Sequence, residues 1–434
     1  MDNKNIIKNS VWIIGCRVVQ ALLGFIVSML TARFLGPSKF GLINYAASLV
    51  AFVTPIMKLG LDAIFVQEIV HNPEDSGKIL GTGLRMNIVS ALLCMAGVVS
   101  FSFIADAGDV DTLIICALYS LTLLAQAIEM IMYWFHAKLL SRYVSVISLI
   151  AYTIVSAYKI FLLATEQSVY WFSISYAIDY LIIGIILRVL YQRLSEQKLE
   201  YSSEIMKRLF SKGKYYVISG LMTVIYAQTD RIMLKMMMDE SAVGYYSAGV
   251  TCASVATFVF TAIITSMQPA IYEGKKKSHE LFETRIKQLY SIIVYMAIIE
   301  SVFLSVFSSI IVRILYGSQY EPTIGVLRII AWYTAFSYYG GAKDIWILAE
   351  NKQKYLVWLN GGGALANILL NFVLIPVCGI NGAAFASLIT QIITNIFMSF
   401  IIKELRRNNI LLLQALHPKF ILPFFRRIKS EIFK

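Results

Sequence analysis

Apolar runs of about 20 residues, each long enough for a helix to cross the hydrocarbon core of a bilayer, recur along the whole chain between short polar or Gly/Pro breaks. Cutting at those breaks predicts twelve transmembrane helices, at 11–33, 41–60, 84–105, 112–134, 143–164, 169–190, 214–236, 243–266, 289–312, 324–348, 355–377 and 380–402. An even count returns both termini to one side. Lys and Arg test this cut independently, because cytoplasmic loops carry an excess of them. The side of the termini holds 29, and the opposite side holds four, Arg33, Lys39, Lys235 and Arg313. The N- and C-termini are therefore expected in the cytoplasm, with the first apolar segment an uncleaved span. The expected fold class is an all-α polytopic membrane protein.

Domain organisation follows from the loops and from a repeat. The larger cytoplasmic connections, 191–213 and 268–288, are charged and helix-compatible, and suggest a hinge between two lobes. A shift of 203 residues sets KFGLINYAASLVAF against AVGYYSAGVTCASVATF, with Gly41 opposite Gly244. A second register, shifted by 212, sets Tyr143 against Tyr355, Lys159 against Asn371 and Asp179 against Gln391. Six spans per half restore the same orientation, a plan that places a transport site between two bundles. The expected domains are a six-helix lobe at 1–200, a second at 201–402, and a basic interfacial tail at 403–434 that Pro418 and Pro423 keep from spanning.

Composition agrees with the pattern. With 58% hydrophobic and 15% charged residues, the chain is far from the roughly one-quarter charged make-up of soluble domains. The net charge of +12 is explained by cytoplasmic loops facing anionic headgroups and points to no nucleic-acid partner. Five cysteines without a CxxC pair suggest neither disulfide nor metal. The three Gly-Lys pairs continue as GKI, GKY and GKK, so there is no phosphate-binding loop, and HELFE lacks the second histidine of a zinc protease. No enzyme signature is present.

Polar residues inside spans are costly, so their placement carries information. They fall at helical steps of three and four, on single faces. The first span has Arg17, Gln20, Gly24, Ser28 and Thr31; the fourth, Tyr119, Thr122, Gln126, Glu129 and Tyr133; the fifth, Ser145, Ser148, Tyr152, Ser156 and Lys159; the seventh, Ser219, Thr223, Tyr226 and Asp230. Spans ten to twelve add Tyr333, Ser337, Gly340 and Asp344, then Asn360, Asn367 and Asn371, then Ser387, Gln391 and Asn395. Interhelical hydrogen bonding explains any one stripe; a hydrated cavity explains them together. The candidate cavity residues are Arg17, Gln20, Lys159, Arg231, Lys343, Asn367, Asn371 and Gln391. Asp230 is an alternative ion-pair partner for Arg231, and Asp179 for Lys159.

At TARFLGPSKFGLINYA (Thr31 to Ala46), AQTDRIML with AVGYYSAG, and NFVLIPVCGINGAAFASLIT, the sequence resembles the bacterial polysaccharide-repeat-unit flippases, the Wzx-type O-antigen transporters. Their superfamily, the multidrug/oligosaccharidyl-lipid/polysaccharide (MOP) transporters, also holds drug and toxin extruders and the peptidoglycan-precursor flippase. That last branch carries arginines on its first-span cavity face, where the stretch from Phe25 to Ser28 has none. The resemblance implies two six-helix lobes in a V around a central cavity, in the bacterial cytoplasmic (inner) membrane. The implied cargo is an oligosaccharide on undecaprenyl pyrophosphate, with its polyprenyl tail left in lipid. Other polysaccharide-assembly membrane proteins are implied partners. No cofactor is implied beyond coupling to a proton or sodium gradient or to the membrane potential, with Glu129, Asp179 and Asp230 as candidate carriers. An ion-coupled multidrug antiporter of the same fold is the alternative, followed by a polysaccharide polymerase or glycosyltransferase.

Overall fold

The computed structural model describes residues 3–420, with side chains from Gly15 onward apart from those of Ala63 and Tyr226. The side chains of Lys4, Lys8 and Tyr226, and residues 421–434 of the tail, lie outside the described residues. Every regular element among the described residues is helical and none is a strand. In lipid only a helix satisfies all its backbone polar groups within one segment.

The helices are α1 (Asn3–Met57), α2 (Leu61–His71), α3 (Ser76–Ala105), α4 (Val110–Glu129), α5 (Met132–Ala137), α6 (Ser141–Ala164), α7 (Val169–Leu194), α8 (Ser203–Met237) and α9 (Glu240–Ala253). They continue as α10 (Thr257–Lys277), α11 (His279–Leu315), α12 (Thr323–Ala349), α13 (Lys354–Cys378), α14 (Ile380–Ile392), α15 (Met398–Ile401) and α16 (Arg406–Ala415). A π-helical turn, Ile393–Phe397, joins α14 to α15. Nine stretches among the described residues are long and apolar enough to cross a membrane. Two causes separate nine from twelve. One stretch, Gly15–Met57, holds the first two expected spans, and α8 and α12 are long helices not among the nine.

The break inside α1 falls at Gly36-Pro37, between those two expected spans. Gly36 has φ 77° and ψ 171°, a left-handed φ open to glycine. Pro37 then removes a backbone donor and disfavours helix in the residue before it. Contacts along the chain define two compact units, Met1–Gly244 and Tyr245–Lys434, so that α8, expected to open the second lobe, falls with the helices before it and packs on α1.

Within the first unit, the glycines paired by the 203-residue repeat meet. A Cβ on Gly41 would stand 1.7 Å from the Glu240 carbonyl oxygen, and one on Gly244 would stand 2.0 Å from that of Pro37. Ser38 adds a hydrogen bond to Glu240 Oε1 at 3.1 Å. The 191–213 connection is mostly helix. Its remaining part is fastened to the start of α3: Gln197 Oε1 accepts from Ser76 Oγ and the Gly77 amide, both at 2.7 Å, and Gln197 Nε2 donates to the Pro73 carbonyl at 3.0 Å.

In the second unit, α11 begins where Ser278 caps it by accepting from the Leu281 amide at 3.1 Å. The first part of the tail, expected at the interface, forms helix α16, which packs on α11. Arg407 holds Glu283 through two hydrogen bonds of 2.7 and 2.6 Å, and Asn408 donates to the Tyr339 hydroxyl at 2.8 Å. Bidentate charge pairing and a buried amide fix that helix more firmly than an apolar face alone would.

Candidate functional site

A cavity of 530 Å³ opens within the first unit, between the second half of α1, α4, α7 and α8. Each helix presents one face to it. From α1 come Ala47, Val50, Ala51, Thr54 and Pro55, at helical steps of three and four, and Lys58 follows just past its end. Helix α4 gives Tyr119, Thr122 and Gln126, α7 gives Tyr176 and Tyr180, and α8 gives Tyr216, Gly220 and Thr223. Small residues on α1 leave the room, and tyrosines, threonines, one amide and the charged Lys58 and Asp62 line it. Such a surface offers hydroxyl and amide hydrogen bonds beside aromatic faces, suited to a polar, ring-bearing ligand.

The single lysine of the lining is Lys58, whose ammonium lies 3.9 Å from Asp62. Both side chains are substantially exposed, so this pair contributes little to stability. Lys159 reaches the site indirectly. Its Nζ stands 3.4 Å from the centre of the Tyr176 ring, and that ring lies 5.0 Å from the Tyr119 ring. A cation held on an aromatic face is attracted by the ring quadrupole, so Lys159 backs the tyrosine wall without lining the cavity. Asp179, expected as its partner, acts on it electrostatically but forms no ion pair within 4.0 Å among the described residues. The Asp179 Oδ1 atom is shut from solvent and accepts no hydrogen bond among the described residues.

The other expected residues distribute as follows. Glu129 ends α4, half-buried one turn beyond Gln126 and within electrostatic reach of Lys58 and Asp179. Arg231 donates to Gln228 Oε1 at 2.9 Å, and Ser48 donates to the same oxygen at 3.1 Å, joining α8 to α1 beside the cavity. Asp230 next to it is buried. Arg17 is exposed and Gln20 half-buried on the first part of α1, outside the lining.

Lys343, Asn367, Asn371 and Gln391 belong to the second unit, where all four are at most 5% exposed. Lys343 donates to the Thr394 carbonyl at 3.1 Å, Asn371 to Asn367 Oδ1 at 3.1 Å, and Asn395 to Gln391 Oε1 at 2.6 Å. These groups are joined within the helix packing of the second unit.

Tyr119, Thr122 and Gln126 of the expected α4 stripe line this cavity, and so do Lys58, Tyr176, Tyr180 and Tyr216, which belong to no expected stripe. The α1 stripe from Ala47 to Lys58, small and polar at helical spacing, was the available signal.

One further feature closes the far end of α3. In the loop before α4, Asp106 Oδ2 accepts from Tyr45 at 3.3 Å and Ser102 at 3.0 Å, and burial pushes its carboxyl above the ordinary carboxylate range. Three residues on, exposed Asp109 accepts from the Thr112 hydroxyl, which holds its carboxyl below that range.

Comparison with known proteins locates this architecture. The chain is 22% identical over 413 residues to the capsular polysaccharide biosynthesis protein CapF of Staphylococcus aureus, a match covering 92% of this chain and 100% of that one. It is 25% identical over 304 residues to an uncharacterized membrane protein of Methanocaldococcus jannaschii, covering 67% of this chain but only 57% of that protein's length. Among solved structures, the lipid II flippase MurJ in an inward closed conformation superposes with a TM-score of 0.69 at 15% identity, covering 98% of this chain and 93% of that one. An inward-facing multidrug resistance MATE family transporter of the MOP superfamily follows at 0.63 and 11%, covering 89% and 96%. At these identities the likeness to the solved structures is one of fold. The profile of the family described as polysaccharide biosynthesis protein matches residues 6–275, a stretch that contains every residue lining the cavity. The chain belongs to that polysaccharide biosynthesis protein family, on the fold shared by MurJ and the MATE transporters.

Proposed function

We propose that this membrane protein is a flippase that carries a lipid-linked oligosaccharide from the cytoplasmic to the outer leaflet of the bacterial inner membrane by alternating access. The observation that carries this is the cavity: a hydroxyl-, amide- and tyrosine-lined space with the Lys58–Asp62 pair at one end, among helices long and apolar enough to cross a membrane. Family membership supports the saccharide and the fold supports transport, since the solved neighbours are a flippase and a transporter. The cargo proposed is an oligosaccharide repeat unit on undecaprenyl pyrophosphate. Chemistry on the cargo is left to the other membrane proteins that make and use it.

Residue roles follow from the lining. Tyr119, Tyr176, Tyr180 and Tyr216 offer faces to sugar rings. Thr54, Thr122, Thr223 and Gln126 replace the hydrogen bonds the sugar hydroxyls lose with water. Lys58 offers its charge to the pyrophosphate, and Lys159 fixes the Tyr176 ring. In this scheme twelve crossings place both termini in the cytoplasm, with Lys58 at the cytoplasmic mouth. An inside-negative potential then favours outward passage of the anionic head by about 2.3 kcal/mol per charge per 100 mV. Glu129 and Asp179, the carboxylates beside the cavity, are the proposed carriers of a coupling proton or sodium ion.

Deleting the gene in its host tests the reading. Lipid-linked repeat units are expected to accumulate on the cytoplasmic leaflet while surface polysaccharide is lost, with both restored by the wild-type gene. Intact surface polysaccharide with altered drug sensitivity would move the assignment to a drug extruder.

A further inference from the structure

Beside the cavity lies a second recess, of 360 Å³, that shares no lining residue with it. Leu59, Met86, Val89, Leu93 and Met206 form its apolar walls, and Arg85 stands among them. Val89 and Leu93 are 58% and 70% exposed, so this face of α3 looks outward into lipid. From Arg85 to Leu93 the ridge runs about 12 Å along the helix. The Arg85 guanidinium rests 5.4 Å from the centre of the Tyr201 ring and has no carboxylate within ion-pair distance among the described residues. An arginine without a protein counter-charge, at the head of an apolar channel, suits a phosphate that bears a hydrocarbon chain.

One turn separates the recess from the cavity. Lys58 and Gly60 face the cavity and Leu59 faces the recess. Leu59 has φ 53° and Gly60 φ 67°. A left-handed leucine is strained, because its Cβ crowds the backbone where glycine would not. The turn is also pinned: a Cβ on Gly60 would stand 2.3 Å from the Gly213 carbonyl oxygen, and one on Gly213 would stand 2.2 Å from that of Leu59. The strain is thus kept in a turn that fixes which side chain faces which space.

We infer that the recess holds the first part of the substrate's polyprenyl chain, with its lipid phosphate at Arg85, while the sugar portion crosses the Lys58–Gly60 turn into the cavity. This rests on the flippase reading and adds to it a path for the lipid. An ordinary leaflet phospholipid has no headgroup to send across that turn, and this continuity between recess and cavity selects the lipid-linked substrate as occupant.

The test uses the purified full chain in nanodiscs, offered undecaprenyl phosphate or phosphatidylglycerol, with retained lipid counted by native mass spectrometry. Arg85→Gln and Leu93→Trp should each retain undecaprenyl phosphate about fivefold less than wild type. Ile299→Trp, on a 66% exposed position of α11, should retain it as wild type does. Phosphatidylglycerol should be unaffected in all of them. Equal retention of undecaprenyl phosphate by all variants overturns the assignment, and so does a matching loss of phosphatidylglycerol, which would mark a leaflet-lipid site. Complementation of the deletion strain separates the two readings. If Arg85→Gln and Leu93→Trp relieve repeat-unit accumulation as fully as wild type at equal membrane levels, the recess assignment fails and the flippase stands. If the wild-type gene relieves nothing, the flippase reading fails and takes the recess with it.

Discussion

On α4, Tyr119, Thr122 and Gln126 face a cavity, whereas on α13 and α14 Asn367, Asn371 and Gln391, at the same helical spacing, are shut inside helix packing. What lies opposite decides between these outcomes. The α4 face meets Ala47 and Ala51 across the gap, while Gly220 packs on Pro55, where an added Cβ would stand 3.0 Å from the proline Cβ. In the second unit, glycines receive the amides directly. A Cβ on Gly340 would stand 2.9 Å from both Nδ2 and Oδ1 of Asn395, and one on Gly325 would stand 2.6 Å from Asn381 Oδ1. An amide seated against glycine is a packed joint, and small residues facing tyrosines across a gap make a cavity.

The largest expected effect comes from filling the space. Gln126→Trp should lower transport of lipid-linked repeat units by about 30-fold, as losing a central contact does, while the unfolding temperature in detergent stays near wild type. A matching loss of stability would show that Gln126 is a packed joint like Asn395. The converse substitution is Gly340→Val, which drives a branched side chain into Asn395 and should destabilise the second unit by about 1–3 kcal/mol. Unchanged thermal unfolding of this variant would mean that the socket is loose and that the contrast between the two units is false.

The contrast explains how far the sequence could be read. Spans were legible because lipid excludes charge over a fixed length, and the Gly36 break was legible because Gly-Pro interrupts helix in any setting. Helix α2 was not, since 61–71 carries Asp62, Gln67 and Glu68 in a segment too short to span. The connections 191–213 and 268–288 were legible as helix-compatible, and α8 and α11 run through parts of them to lengths of 35 and 37 residues. At the site, the α4 stripe was legible from periodicity. Lys343, expected as a cavity cation, donates to the Thr394 carbonyl, and the sequence alone does not say whether a lysine meets water or such a carbonyl. Lys58 was set aside as a loop charge because positive-inside counting treats every lysine near a span end alike. Both placements have one physical source: which face of a helix meets a partner is fixed by tertiary packing, and the chain's own periodicity is silent on it.

A smaller effect tests the wall behind the cavity. Lys159→Met removes the ammonium from the Tyr176 face and should lower transport about threefold, the scale of one cation–π contact. Tyr176→Phe keeps the ring face and should retain that contact. If Lys159→Met transports at the wild-type rate, Tyr176 is held by packing alone. If it abolishes transport, the lysine touches the cargo and belongs to the lining.

The smallest effect repeats the contrast inside one loop, between a carboxylate that is half-buried and one that is exposed. Asp106 has a raised carboxyl value because burial penalises its charge, against the help of Ser102, Lys235 and Tyr45. Its contribution to stability is therefore fullest when it is protonated, below the unfolded value, and is lost as pH rises through the folded one. Asp109 runs the other way. Its value is lowered by Thr112, so its contribution is present above the unfolded carboxylate value and is lost as pH falls through the folded one. Thermal unfolding in detergent from about pH 2 to 7, a range that spans the ordinary carboxylate value, should show Asp106→Asn raising stability most at the neutral end. Asp109→Asn should lower stability there and converge on wild type in acid. Parallel curves for wild type and Asp106→Asn would mean that water reaches Asp106 despite its contacts with Tyr45 and Ser102. Burial would then not be what separates the two carboxylates, and the hydroxyl bond to Asp109 would have to account for the difference alone.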